Sequence, residues 1–123
     1  LFTNGKLKAN LKISQLQYEA AQNDFKSTLL SAGQEVSNAL AQYQAAALQE
    51  EACKHQVAEL TTALENTKML FQHSTSTTYL ETLTAQQSLI QAQLTLISDK
   101  FDKVQAAINL YQALGGGRET ENN

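Results

Sequence analysis

The 123-residue chain has no proline and no tryptophan, one cysteine and only five glycines. Without proline, nothing removes a backbone N–H or forces a ring clash that would break a long helix. One thiol, Cys53, cannot close an internal disulfide and says nothing about redox compartment. No apolar run approaches the roughly 18 to 20 residues of a membrane-spanning helix. No basic-then-apolar signal segment opens the chain. Since it begins with Leu1, it reads as a processed chain or an excised piece of something larger, one domain or less. Acidic and basic residues are interspersed, with a net charge of −3. No Lys/Arg cluster offers a phosphate-binding face, so nucleic acid is not an expected partner. Gly-rich phosphate loops, nucleophile elbows and metal-ligand spacings are missing too. The expectation is therefore a chain with no catalytic residue, no cofactor and no metal, and not an enzyme.

What is present favours helix. Alanine and glutamine supply 32 residues between them, and both suit long helices. The stretch from Thr75 to Gly117 organises the rest. Within it Ile90, Leu94, Ile97, Phe101, Val104, Ile108 and Tyr111 follow a 4-3 spacing, the a/d repeat of a coiled coil. A second stripe holds Leu89, Leu96 and Leu110, interrupted by Lys103. A third holds Ala85, Ala92, Ala106 and Ala113, with Asp99 as its missing member. One neighbour needs one seam, so several stripes imply neighbours on two sides. Leu114 then runs into three glycines, a strong helix stop.

Residues 1–5 read as a lead-in with Asn-Gly turn chemistry. From Lys6 to Gln72 only Gly33 weakens a helix of about 100 Å. That glycine reads either as tolerated or as marking a bend or close crossing. Leu7, Leu11, Leu16, Tyr18, Ala21 and Phe25 mark the first part with an imperfect period. Leu29, Ala32, Val36, Ala39, Tyr43 and Ala46 then keep clean 3/4 spacing, and Cys53, Val57, Leu60, Leu64, Thr67 and Phe71 resume it. Between the last two blocks, Ala45–Ala47 and Glu50–Glu51 blur the register and suggest a change of partner or supercoil. His73 to Thr78 is wholly polar, and its hydroxyls favour caps and turns. Thr78 with Glu81 fits a capping box opening a second helix, 78–114. So short a turn folds the helices back antiparallel. The second helix, about 54 Å long, covers only Val36 to Phe71 and leaves the start of the first without a partner. The expected class is all-α, a long antiparallel coiled-coil-like hairpin, with 115–123 a disordered tail.

Single residues add little chemistry. Cys53 and His55 point about 200° apart on a helix, which suits a small buried thiol and a surface imidazole. His73 has no acidic neighbour in sequence. Glu50–Glu51 and Asp99–Lys103 read as solvated faces. Tyr18, Tyr43 and Tyr111 lie on apolar stripes and read as packing residues. The polar turn reads as a plain connector or as an exposed tip where a partner is met.

Three segments carry a resemblance: Leu70-Phe71-Gln72-His73-Ser74, then Thr78-Tyr79-Leu80-Glu81-Thr82-Leu83-Thr84-Ala85-Gln86-Gln87-Ser88-Leu89, then Leu110-Tyr111-Gln112-Ala113-Leu114-Gly115-Gly116-Gly117. Together they are similar to the C-terminal part of TolC-type outer-membrane efflux factors. Leu30 to Leu40 resembles that family's A-x-x-EV-x-x-AL segment, and Phe2 to Lys8 resembles the exit from its last barrel strand. Ser74 stands where the family's turn has glycine, and Thr82 where it has valine. No arginine lies between Phe71 and Tyr79, so the tip-closing arginine of some members has no counterpart here.

The resemblance implies a homotrimer, with a transmembrane β-barrel in the outer membrane continued by a helical tunnel across the periplasm. This chain would be the periplasmic hairpin of the second structural repeat. The intact duct would serve a tripartite efflux pump or a type I secretion system, exporting small molecules or proteins. A periplasmic adaptor would dock at the tip, and an inner-membrane transporter would act through it. Phe71, Gln72, His73, Ser74, Thr75, Ser76 and Thr77 are then the candidate entrance and adaptor-docking residues, with Phe71 expected to pack back against the start of the second helix. The competing expectation is a structural hairpin, such as that of an adaptor, that scaffolds or oligomerises without a channel role.

Overall fold

The computed structural model describes residues 2–74 and 77–116. Two helices account for nearly all of them: α1, Phe2–His73, and α2, Tyr79–Ala113. The described residues contain no strand. No helix among them is long and apolar enough to cross a membrane. The expected helix boundaries at the turn hold to within one residue. At the start the expectation fails: Asn4 and Gly5 are helical. Their propensity cost, on the order of 1 kcal/mol for glycine, is too small to stop a helix already propagating from Lys6. The expected tail divides: Gly115 and Gly116 are ordered parts of a cap, and 117–123 lie outside the described residues.

The chain separates after Ser37 into two units. In the first, every side chain from Phe2 to Glu35 is exposed. Leu7, Leu11, Leu16, Tyr18 and Phe25 are among them. Gly33 lies in helical backbone, and an added Cβ would meet nothing within 4 Å. No close crossing occurs there among the described residues.

The second unit is an antiparallel helical hairpin. Its α1 arm turns Ala39, Tyr43, Ala46, Glu50, Cys53, Val57, Leu60, Leu64 and Thr67 inward, buried or half-buried. The α2 arm answers with Thr82, Ala85, Leu89, Ala92, Leu96, Asp99, Lys103, Ala106, Leu110 and Ala113. Both rows keep an unbroken 3-4 spacing, a heptad seam. The alanine run and Glu50–Glu51 do not disturb it, contrary to expectation, because Ala46 and Glu50 are themselves seam positions.

The larger correction concerns α2. Its most apolar stripe, Ile90 through Tyr111, is not the seam. Ile90, Leu94, Ile97, Phe101, Val104, Ile108 and Tyr111 are all exposed. The seam uses the two poorer stripes instead. Their alanines shorten the distance at which two helices can pack. Beside the turn the ring of Phe71 lies against that of Tyr79, centroids 6.2 Å apart. The resulting contact is thin, and no described side chain is completely enclosed. Of the tyrosines, Tyr43 packs in the seam, whereas Tyr18 and Tyr111 are exposed.

The helix ends follow from local chemistry. The capping box forms as expected: Glu81 N–H donates to Thr78 Oγ1 at 3.3 Å, and Thr78 N–H donates to Glu81 Oε2 at 2.8 Å. Within the helices Thr61, Thr62, Thr67, Thr84, Ser88 and Thr95 donate to the carbonyl four residues back. That satisfies hydroxyls which would otherwise compete with helix. At the far end Gly116 N–H reaches Tyr111 O and Gly115 N–H reaches Gln112 O, both 2.9 Å. This pair of bonds is a Schellman motif, and Gly115 takes the left-handed conformation it requires, φ +88°. A Cβ at Gly116 would strike the Tyr111 ring.

Candidate functional site

The expected tip residues cluster where α1 ends. Phe71, Gln72 and His73 form its last turn, and all three are exposed. His73 is therefore helical and closes α1. Ser74 is half-buried, and its N–H donates to Leu70 O at 2.8 Å. Thr77 is half-buried beside the cap residue Thr78. Thr75 and Ser76 lie outside the described residues. Phe71 meets the start of α2 through Tyr79, as expected, yet remains 45% exposed. The tip thus presents one half-covered aromatic and a rim of amide, imidazole and hydroxyl groups. Such groups can dock a surface; among the described residues no cluster of three or more His, Cys, Asp or Glu could hold a metal.

A second polar constellation lies mid-hairpin, where solvated faces were expected. Glu51, Lys100 and Asp102 are exposed, but Glu50 and Asp99 are buried in the seam. The antiparallel fold brings Lys103 Nζ to 2.9 Å from Glu50 Oε2, while Lys54 Nζ, one turn along α1, lies 2.9 Å from Oε1. Hydrogen bonds from Lys54, then Lys103, hold the Glu50 carboxyl at about 2, below its ordinary 4.5, against the opposing effect of burial. Both lysines are raised in return, chiefly by the Glu50 hydrogen bond. Lys103 keeps its head partly in water while its stem lines the seam, the usual behaviour of a long cationic chain.

The neighbouring rung pairs Cys53 with Asp99. Cys53 is 3% exposed, and its Sγ–H donates to Ala92 O at 3.6 Å. Burial, followed by Asp99, pushes the thiol up. Asp99 Oδ2 and Thr82 Oγ1 are buried without a hydrogen-bond partner. His55 is on the surface near Glu51, so the expected split between buried thiol and surface imidazole holds.

A signal for these rungs was present in the sequence. Glu50 lies 26 residues before Ser76, and Lys103 lies 26 after Thr77. A hairpin folded about that turn must set them side by side. The charges looked like interruptions because each arm was read alone.

The family model for outer membrane efflux proteins matches residues 1–116. The chain belongs to that family. Among its relatives, the cation efflux system protein CusC of Escherichia coli K12 is 32% identical over 117 residues, 95% of this chain and 25% of the relative. The probable outer membrane lipoprotein SilC of Salmonella typhimurium is 30% identical over the same share of each. The solvent efflux pump outer membrane protein SrpC of Pseudomonas putida is 28% identical over all of this chain and 26% of its own. The chain spans about a quarter of the length of the curated relatives it matches. No solved structure matches it. The resemblance read from the flanks of the turn and from the closing glycines is thus borne out at the level of family. The described residues are thus an all-α segment of an outer membrane efflux protein.

Proposed function

We propose that the chain is the periplasmic helical hairpin of an outer-membrane efflux channel, with the turn at the entrance where a periplasmic adaptor docks. The observation that carries this reading is the outward face of α2. Seven large apolar or aromatic residues at heptad spacing stay exposed while the hairpin closes on its poorer stripes. A stripe of that length needs cover by other helices. In a family of outer-membrane efflux proteins, the cover is the rest of the tunnel wall: the remainder of the same polypeptide and its copies in a trimer, joined to a barrel in the outer membrane. The same proposal places the first residues of the chain at the exit from that barrel's last strand. Cargo follows the relatives' class, small molecules driven by an inner-membrane transporter through the adaptor, with type I protein secretion the other route. The reading as a free-standing scaffold hairpin gains no support from the family match.

The test uses full-length protein carrying C53A and T75C. A short crosslinker in cells joins position 75 to the adaptor, and Ser74→Trp impairs export without lowering the amount of assembled protein. Normal export in S74W, together with no adaptor crosslink from position 75, reduces the turn to a connector.

A further inference from the structure

The seam of this hairpin has a degeneracy that packing alone cannot resolve. Along α2 the position held by Lys103 is leucine one heptad earlier, at Leu96, and leucine one heptad later, at Leu110. The position held by Asp99 is alanine both ways, at Ala92 and Ala106. If α2 slid by seven residues along α1, apolar side chains would again face apolar side chains, and every exposed face would stay exposed. A strict heptad repeat is indifferent to such a shift.

We propose that the Glu50–Lys103 rung, with Lys54 completing it, is the register lock of the hairpin, selecting one alignment of the two arms from otherwise near-equivalent ones. In either slipped alignment Glu50 would face a leucine. It would keep Lys54 from its own helix but lose the 2.9 Å bond to Lys103. Lys103 would be carried to Tyr43 or Val57, with no carboxylate opposite. Glu50 is only 9% exposed at its side chain, so water replaces the lost partner poorly, and a half-satisfied buried charge is strongly unfavourable. The adjacent Asp99 fits the same role. Its orphaned Oδ2 gains nothing for stability where alanine recurs in every other heptad. It does exclude alignments that would place it against Ala46 or Leu60. Single polar seam positions that give up stability for alignment are the best-attested use of such residues. The register in turn determines that Phe71 meets Tyr79.

The experiment reads register by disulfide formation in the full-length protein, with native Cys53 as one partner. Cys53 touches Ala92 in the observed alignment; residues 85 and 106 are reached only after a slip. Because burial holds the thiol above its ordinary range, oxidation is run in mildly alkaline buffer. In the parent, A92C crosslinks, and A85C and A106C do not. In E50L/K103L, the A85C or A106C crosslink rises by roughly tenfold or more as alignments mix. In K103E, which sets like charges face to face, the A85C or A106C crosslink rises likewise, and it falls again in E50K/K54E/K103E. No A85C or A106C crosslink in K103E, or exclusive A92C crosslinking in a folded E50L/K103L protein, overturns the proposal and leaves the turn alone as the determinant. Should E50L/K103L lose helicity, K103E and its rescue decide the matter.

Discussion

Replacing Leu64 by alanine tests which face of each helix closes the hairpin. Leu64 is 7% exposed in the seam, whereas Ile97, on the richer stripe of α2, is 64% exposed. Leu64→Ala removes about three methylene equivalents at about 0.8 kcal/mol each. The seam is one contact deep, so the space left is open to collapse or to water, and the cavity contribution is small. The expected loss is about 2 kcal/mol, the low end of the range for buried leucines. Ile97→Ala removes a side chain only about one-third covered, and the same arithmetic gives less than about 1 kcal/mol. The assay is urea unfolding of the dilute chain followed by far-ultraviolet circular dichroism, with the slope checked for constancy so that midpoints report stability. Equal losses, or a larger loss for I97A in dilute solution, would refute the seam described here and restore the apolar stripe as the intramolecular contact. On the proposed packing of the tunnel wall, I97A costs more in the full-length protein than in the chain.

Two further expectations follow from the polar groups. Glu50 has its folded value depressed from 4.5 to about 2, so its contribution is complete above the ordinary value and fades as pH falls toward the depressed one. Between about pH 5 and pH 2 the melting temperature of the parent therefore drops more steeply than that of E50Q; superimposable profiles would count against the buried pair. Thr78→Ala removes the cap of α2 and one half of the reciprocal bonding with Glu81, at a cost of about 1 kcal/mol. A midpoint shift indistinguishable from that of Thr62→Ala, an exposed position within α1, would show that the box adds nothing.

The two helices and their junction were legible because local chemistry decides them. No proline interrupts either arm, hydroxyls collect at one place, and Thr78 and Glu81 stand three apart. The Gly115–Gly116 stop was legible for the same reason. The seam was not, because hydrophobic periodicity registers every burial a sequence is suited to, whether the cover comes from within the chain or from outside it. Ile90, Ile97 and Phe101 outweigh Ala92, Asp99 and Ala106 in any count of apolar character, yet the smaller row is the one that lets two backbones draw together. Glu50 and Lys103 were hidden differently. Each is unremarkable on its own arm, and their meaning exists only as a pair across the turn. At the tip, sequence located Phe71 against the start of α2 but put His73 outside the helix, a difference of one residue at a fraying end.

The uninterrupted spacing of the seam also limits how such a hairpin can change in length. Each residue of an α-helix rotates the next by about 100°. Deleting one residue between Ala39 and Thr67 would swing everything beyond it off the seam, and three or four would still leave a stagger. Adding seven to one arm alone would restore the facing but separate Glu50 from Lys103, which now sit equally far from the turn. Lengthening or shortening between that rung and the turn is therefore permitted only in whole heptads, and only on both arms together. Length variation there is quantised and paired, while the exposed stretch before Val36 carries no such constraint from the hairpin itself.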